Sequence, residues 1–205
     1  MADLQPPTPR TPGHRPTHSK RISTLPKAPA SIHPAATVAN HAVLTGHHAI
    51  TISAGAVLHP HCKVTSVHGP VVIGEGCIIY EKAVVGIEGD GEAESGRGVV
   101  LDRNVVVESG AVVEAALVGE GAVVGVEGRV GVGSAVGRWC QITPRCALPP
   151  GSDLPDFSVL YGNNQRRLNY TAQTRPVVTD IRKRAHENQL RLFAKLVPNN
   201  AAKWM

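Results

Sequence analysis

Histidine and cysteine carry most of the reactive chemistry that this chain of 205 residues could offer. His41, His47 and His61 share the fourth position of a six-residue period. Imidazole is a common metal ligand, and a catalytic zinc needs three protein ligands plus an open place for water. Successive hexads face different sides, so the spacing predicts that these rings diverge within one chain and converge only across subunits of a trimer. His48 and His68 stand at the fifth position, where small residues prevail. A general base for acyl transfer would have to reach its acceptor from such a place. Both lie next to slips in the period, which explains them without chemistry. After His68 the next histidine is His186, near the C-terminus. Cys62, Cys77, Cys140 and Cys146 all fall at the fifth position, and no Cys-x-x-Cys occurs. They read as reduced thiols at small core positions rather than as a disulfide or zinc set. The glycine-rich stretch 86–98 lacks the lysine and the strand-to-helix setting of a phosphate loop. These residues predict no catalytic group, no metal and no cofactor.

The period itself is set by aliphatics. Val118, Val124, Val130, Val136, Ile142 and Leu148 follow one another without a slip. Earlier runs are Ile32, Val38, Leu44, Ile50; Ile52, Leu58, Val64; Ile73, Ile79, Val85; and Leu101, Val107, Val113. Six matches neither a helix nor one long strand. It fits a solenoid in which each hexad is a short strand and a corner. Position five is mostly small (Ala36, Ala42, Ala56, Ala83, Ala111, Ala122, Ser134 and the four cysteines), so a narrow interior can fill without overpacking. At three hexads per turn the chain makes about six coils, rising roughly 29 Å at strand spacing. The predicted fold is an all-β solenoid, a left-handed parallel β-helix of hexapeptide repeats with one C-terminal α-helix.

Aromatic residues make up only 3% of the chain, which suits a β-helix filled by Val, Ile, Leu and Ala. No apolar run is long enough to span a membrane, and the first twenty residues have no secretory h-region. The reading is a cytoplasmic protein without direct membrane insertion. The net charge of +5 is split: residues 31–159 carry a formal −6 and the two ends +11. An acidic folded body argues against nucleic acid as a partner.

Residues 1–30 form a proline-rich, basic arm that is expected to be disordered. The solenoid and its closing segment occupy 31–162. They are interrupted at 86–98, where five glycines and four acids in thirteen residues predict a loop pushed out of a corner. A linker at 163–178 leads to an amphipathic helix at 179–197, capped by Thr179 or Asp180 and stopped by Pro198. Its apolar residues Leu190, Phe193, Leu196 and Val197 are expected to pack on a prism side.

Several stretches resemble the dynactin subunit 6 family. They are Gly69-Pro70-Val71-Val72-Ile73-Gly74-Glu75-Gly76 with Ile78 to Val84, Tyr161-Gly162 with Arg166-Arg167, and the terminal Leu196-Val197-Pro198-Asn199. The resemblance implies a non-catalytic scaffold in the pointed-end complex of dynactin. Its partners would be dynactin subunit 5, the p62 subunit and actin-related protein 11, and indirectly dynein adaptors in microtubule-based transport at the cytoskeleton. Candidate interface or helix-packing residues are then Leu190, Phe193, Leu196, Val197, Tyr161, Arg166 and Arg167. The alternative is a trimeric hexapeptide-repeat enzyme, an acyltransferase or a γ-carbonic-anhydrase-like protein. The latter wants a late His-x4-His pair, which this sequence does not have.

Overall fold

The computed structural model describes residues 27–88 and 97–204. The expectations for residues 1–26 and for the centre of the acidic loop therefore fall outside the described residues. The chain winds as a left-handed parallel β-helix with three flat faces. Face 1 stacks seven strands from Ala30–Ile32 to Asp153–Leu154. Face 2 stacks seven parallel strands from Thr37–Val38 to Ser158–Tyr161, and face 3 stacks six from Val43–Gly46 to Ala147–Leu148. That is six full coils and an incomplete seventh.

The hexad aliphatics form ladders through the interior. On face 1, Ile52 pairs with Ile73, Ile73 with Leu101, Leu101 with Val118, Val118 with Val136, and Val136 with Leu154. Each of these side chains is at most 2% exposed. The fifth-position residues, including Cys62, Cys77, Cys140 and Cys146, are buried beside them. Position four is the corner, and it turns through left-handed backbone at His41, His61, Asn104, Glu127, Trp139 and Arg145. Glycine takes this place at Gly55, Gly76 and Gly121, where the conformation is free of Cβ strain.

The slips in the period all fall at one corner, where face 3 passes to face 1. Extra residues follow Gly46 and Ser66, the 86–98 insertion leaves after Val85, and one residue is missing between Val113 and Leu117. A corner can bulge outward there while the ladders above and below stay in register.

Both ends of the prism are closed. At the last coil, Gln165–Leu168 folds back antiparallel on Ser158–Tyr161. Arg166 Nη1 donates to the Asp153 carbonyl at 3.0 Å, and the Arg167 guanidinium lies 5.8 Å from the Tyr161 ring centre. This hairpin covers an edge that would otherwise pair with another chain. Helix α1, Tyr170–Thr174, is capped by the Asn169 side chain and leads into helix α2, Pro176–Leu196. The start at Pro176, rather than at Thr179 or Asp180, follows from proline's fitness for the first helical position. Thr179 instead donates its hydroxyl to the Pro176 carbonyl inside the helix.

Helix α2 has 21 residues, about 31 Å of rise, which matches the height of the six coils. It returns along the prism over the corner between faces 1 and 2. Lys183 reaches Glu120 near the last coils, and Phe193 reaches His59 in the second. The chain then delivers Asn199 and Trp204 to the first coil. No helix among the described residues is long and apolar enough to cross a membrane.

Candidate functional site

The site is built by a stripe on α2 facing the outer surface of face 2. Lys183, His186, Leu190, Phe193 and Val197 recur at three- and four-residue intervals, with Gln189 beside Leu190. That spacing places them on one side of the helix. His186 Nε2 lies 2.7 Å from the Gly76 carbonyl. A carbonyl only accepts, so Nε2 carries a proton, and in the neutral imidazole the lone pair is then on Nδ1. Gln189 Nε2 donates to the Tyr80 hydroxyl at 2.6 Å. Lys183 pairs with Glu120 at 3.2 Å, and its ammonium stands 5.4 Å from the Trp139 ring centre.

Between helix and face lies a cavity of about 400 Å³. Its wall includes Tyr80, Asn104, Glu108, Trp139, Gln141 and His186. Trp139 is laid flat over Gly121, where a Cβ would come within 2.8 Å of the ring. Burial raises the Tyr80 phenol above its ordinary pKa, and the nearby Glu108 carboxylate adds to this. Cys140 also lines the cavity, but burial pushes its thiol up to about 11, and Sγ donates to the Pro155 carbonyl at 2.9 Å. It is a packed thiol, not a nucleophile. A second cavity, of about 370 Å³, adjoins the first and is walled by Glu75, Arg103, Glu120, Lys183 and Glu187.

One coil row away, His59 is sealed under the same helix. It stacks on Tyr80 with ring centres 4.8 Å apart, and Phe193 meets it edge-on at 4.7 Å. Its Nδ1 is 3.8 Å from Glu81, beyond hydrogen-bond reach, and its Nε2 is buried without a partner. Burial lowers the His59 pKa below its ordinary value, with the Glu81 charge opposing in part. His59 is therefore neutral in the folded chain near pH 7, and α2 shields it from any acceptor.

The structure distributes the residues singled out by sequence as follows. Leu190 and Phe193 on α2 and Val197 at its C-cap are half-buried, whereas Leu196 is 65% exposed because it falls outside the stripe. Tyr161, Arg166 and Arg167 belong to the hairpin at the far end of the prism, away from the cavities. Burial pushes the Cys62 and Cys77 thiols up to about 12. The expected divergence of the histidines is corrected in one respect. His41 and His61 sit on the same corner one coil apart, and their rings stack with centres 5.1 Å apart and planes 8° from parallel. His47 lies at a different corner. Among the described residues no group of three or more His, Cys, Asp or Glu side chains converges as a metal site. Sequence reasoning passed over His186, Gln189, Tyr80 and His59. The 183-186-190-193-197 spacing was the available signal for the helical partners.

No family model matches the chain, and no curated protein matches it. Solved structures do. A hexapeptide transferase family protein from Anaplasma phagocytophilum is 17% identical, with 80% of this chain and 90% of that one covered and a TM-score of 0.55. A putative acetyltransferase from Bacillus cereus is 14% identical over 78% of this chain and 92% of that one, with a TM-score of 0.40. PerB from Caulobacter crescentus, solved with CoA and GDP-perosamine, is 21% identical over 67% of this chain and 56% of that one, with a TM-score of 0.32. The first shows the shared fold; the other two superpose too loosely to add to it.

The Anaplasma neighbour carries the name of a transferase family, and it overturns the resemblance to dynactin subunit 6. Overturned with it are the non-catalytic scaffold reading, the role in dynein transport and the partners dynactin subunit 5, p62, actin-related protein 11 and dynein adaptors; the cytoskeletal setting, which rested on the same resemblance, loses its support. The physical reason lies in the motif that carried the resemblance. A Cβ on Gly74 would stand 2.6 Å from the Asp102 carbonyl oxygen of the next coil. Val71 and Ile73 fill the core, and Gly76 turns a corner at φ +65°. The block is thus prescribed by coil stacking and does not report on a partner. Leu196, at the head of the terminal motif, points to solvent.

Proposed function

We propose that the chain is a cytoplasmic transferase that moves an acyl group from a thioester to a hydroxyl or amine acceptor held under α2. One observation carries the proposal. His186 forms part of the wall of the roughly 400 Å³ cavity with its Nε2–H committed to the Gly76 carbonyl. A base oriented by a carbonyl in this way has a fixed tautomer, with the lone pair on Nδ1. Acyl transfer needs that group: the acceptor attacks the thioester carbonyl while the base takes the acceptor's proton, and the thiol leaves. Asn104 and Gln141 line the same cavity and supply amide donors to polar groups of a bound molecule. The name of the Anaplasma neighbour, a hexapeptide transferase family protein, supports group transfer in general.

The test is thiol release from acetyl-coenzyme A, followed with a panel of amine and hydroxyl acceptors, for the wild type and for His186→Gln. The variant is expected to lose about 10²-fold or more in kcat, the scale of a general base, while its melting temperature holds. Acceptor-dependent release that is undiminished in the variant would remove His186 from the chemistry. No release with any acceptor would remove the proposal.

A further inference from the structure

The two ends of the prism are closed by unlike means. At the last coil a whole strand, Gln165–Leu168, pairs over four residues with Ser158–Tyr161. At the first coil, face 2 ends in Thr37–Val38, and among the described residues no strand lies outside it. Its edge is satisfied by a side chain instead. Val38 N donates to Asn199 Oδ1 at 3.1 Å, Asn199 Nδ2 donates to the Ala36 carbonyl at 3.0 Å, and Asn200 N donates to the Val38 carbonyl at 2.7 Å. The short 3-10 turn Ala201–Lys203 follows, and the Trp204 indole then closes the floor of the core. Trp204 is 9% exposed and Ala201 5%. The ammonium groups of Lys203 and Lys27 stand 4.9 and 5.7 Å from the indole centre, and Lys27 Nζ donates to the Lys203 carbonyl at 2.8 Å.

We infer that residues 199–204 are a detachable cap that keeps the first coil from pairing with the first coil of a second copy of this chain. The edge beneath the cap holds the Val38 N–H, the Val38 carbonyl and the Ala36 carbonyl, with an apolar floor beside them. Open strand edges of this kind recruit other strands. The partner is set by shape. Among the described residues the first coil presents the outer edges of Ala30–Ile32 and Thr37–Val38 at a fixed angle, while Val43–Gly46 is already met at Thr45 by an antiparallel bridge to Lys27. Another solenoid end meets both open edges at once, where a single strand would cover one. The opposite end of a second copy is unsuited, because Gln165–Leu168 already occupies face 2 there. First coil against first coil remains, an arrangement that closes about a two-fold axis and stops at a pair. Lys203 leaves with the cap, which removes positive charge from the contact.

The experiment uses the full-length chain with Asn199→Ala and Trp204→Ala together, compared with wild type. Mass is read by native mass spectrometry and light scattering across a concentration series, and β content by circular dichroism. The expected result is twice the wild-type mass with the β signal kept, reversed by adding a synthetic peptide of residues 196–205. A folded variant that stays at wild-type mass overturns the inference. So do polydisperse aggregates that the peptide does not dissolve. If the double variant loses its β signal, Asn199→Ala alone decides, since the indole stays in place. It is then expected to double in mass at higher concentration, and a constant wild-type mass overturns the inference.

Discussion

Phe193→Ala tests whether α2 is held on face 2 by the aromatic cluster described above. The ring meets His59 edge-on at 4.7 Å and Tyr80 at 5.9 Å. Removing a fully buried phenylalanine costs about 3–5 kcal/mol. Phe193 is only half-buried, so about half of that, roughly 2 kcal/mol, is lost. A smaller term opposes this, because water then reaches His59 Nε2 and ends its isolation. The net cost is about 1.5–2 kcal/mol, or roughly 10–30-fold in the opening equilibrium of the helix. Native-state hydrogen exchange reads it directly. Amides of 183–196 should exchange roughly 10–30-fold faster, while the core strands of faces 1 and 3 keep their protection. The His59 pKa should also move back up toward its ordinary value, because the burial that lowers it is relieved. Unchanged helix exchange would show that the aromatic cluster does not hold α2. An equal loss across the strands would show that helix and solenoid open as one unit.

Three further outcomes follow from the same geometry. His59 has a lowered folded pKa, so the unfolded chain takes up its proton first as pH falls; this part of the stability is whole above about pH 6.5 and is lost below it. His59→Gln should therefore show a shallower fall in melting temperature between about pH 6.5 and 5 than wild type, and an identical fall would contradict the assignment. Gly74→Ala forces a Cβ against the Asp102 and Leu101 carbonyl oxygens, at 2.6 and 2.7 Å, both in backbone that cannot step aside. A loss of soluble folded protein is expected, and a melting temperature within a degree or so of wild type would refute the close-stacking account. The four cysteines are buried and the thiols of Cys62, Cys77 and Cys140 are raised to about 11 or 12. Iodoacetamide at pH 8 should leave the native chain almost unlabelled and modify all four thiols in denaturant, as counted by intact mass.

The hexad was legible because a core aliphatic must return once per face, and Val118 to Leu148 do so without interruption. Small fifth positions were legible for the same steric reason. The site was not. His186 and Gln189 act on Gly76 and Tyr80, more than a hundred positions away in sequence. No local pattern announces such a pairing, although the helical stripe that includes His186 was open to view. The stacking of His41 on His61 was missed by counting hexads one at a time. The relevant repeat is the full coil, which brings Val43 beside Lys63 and Thr37 beside Val57. The cap at the first coil is the least legible feature. Asn199 completes the edge of a strand with its side-chain amide, and nothing in the preceding helix points to Val38. The resemblance to dynactin failed for a related reason: its most distinctive block is written by coil stacking, which any such solenoid must satisfy.

The most direct test of the central claim is the pair of rates for acceptor-dependent thiol release by wild type and by His186→Gln, measured on protein of equal melting temperature. The account predicts measurable turnover for wild type and a fall of about 10²-fold or more in kcat for the variant. Turnover equal in both, or absent from the wild type with every amine and hydroxyl acceptor tried, would contradict it.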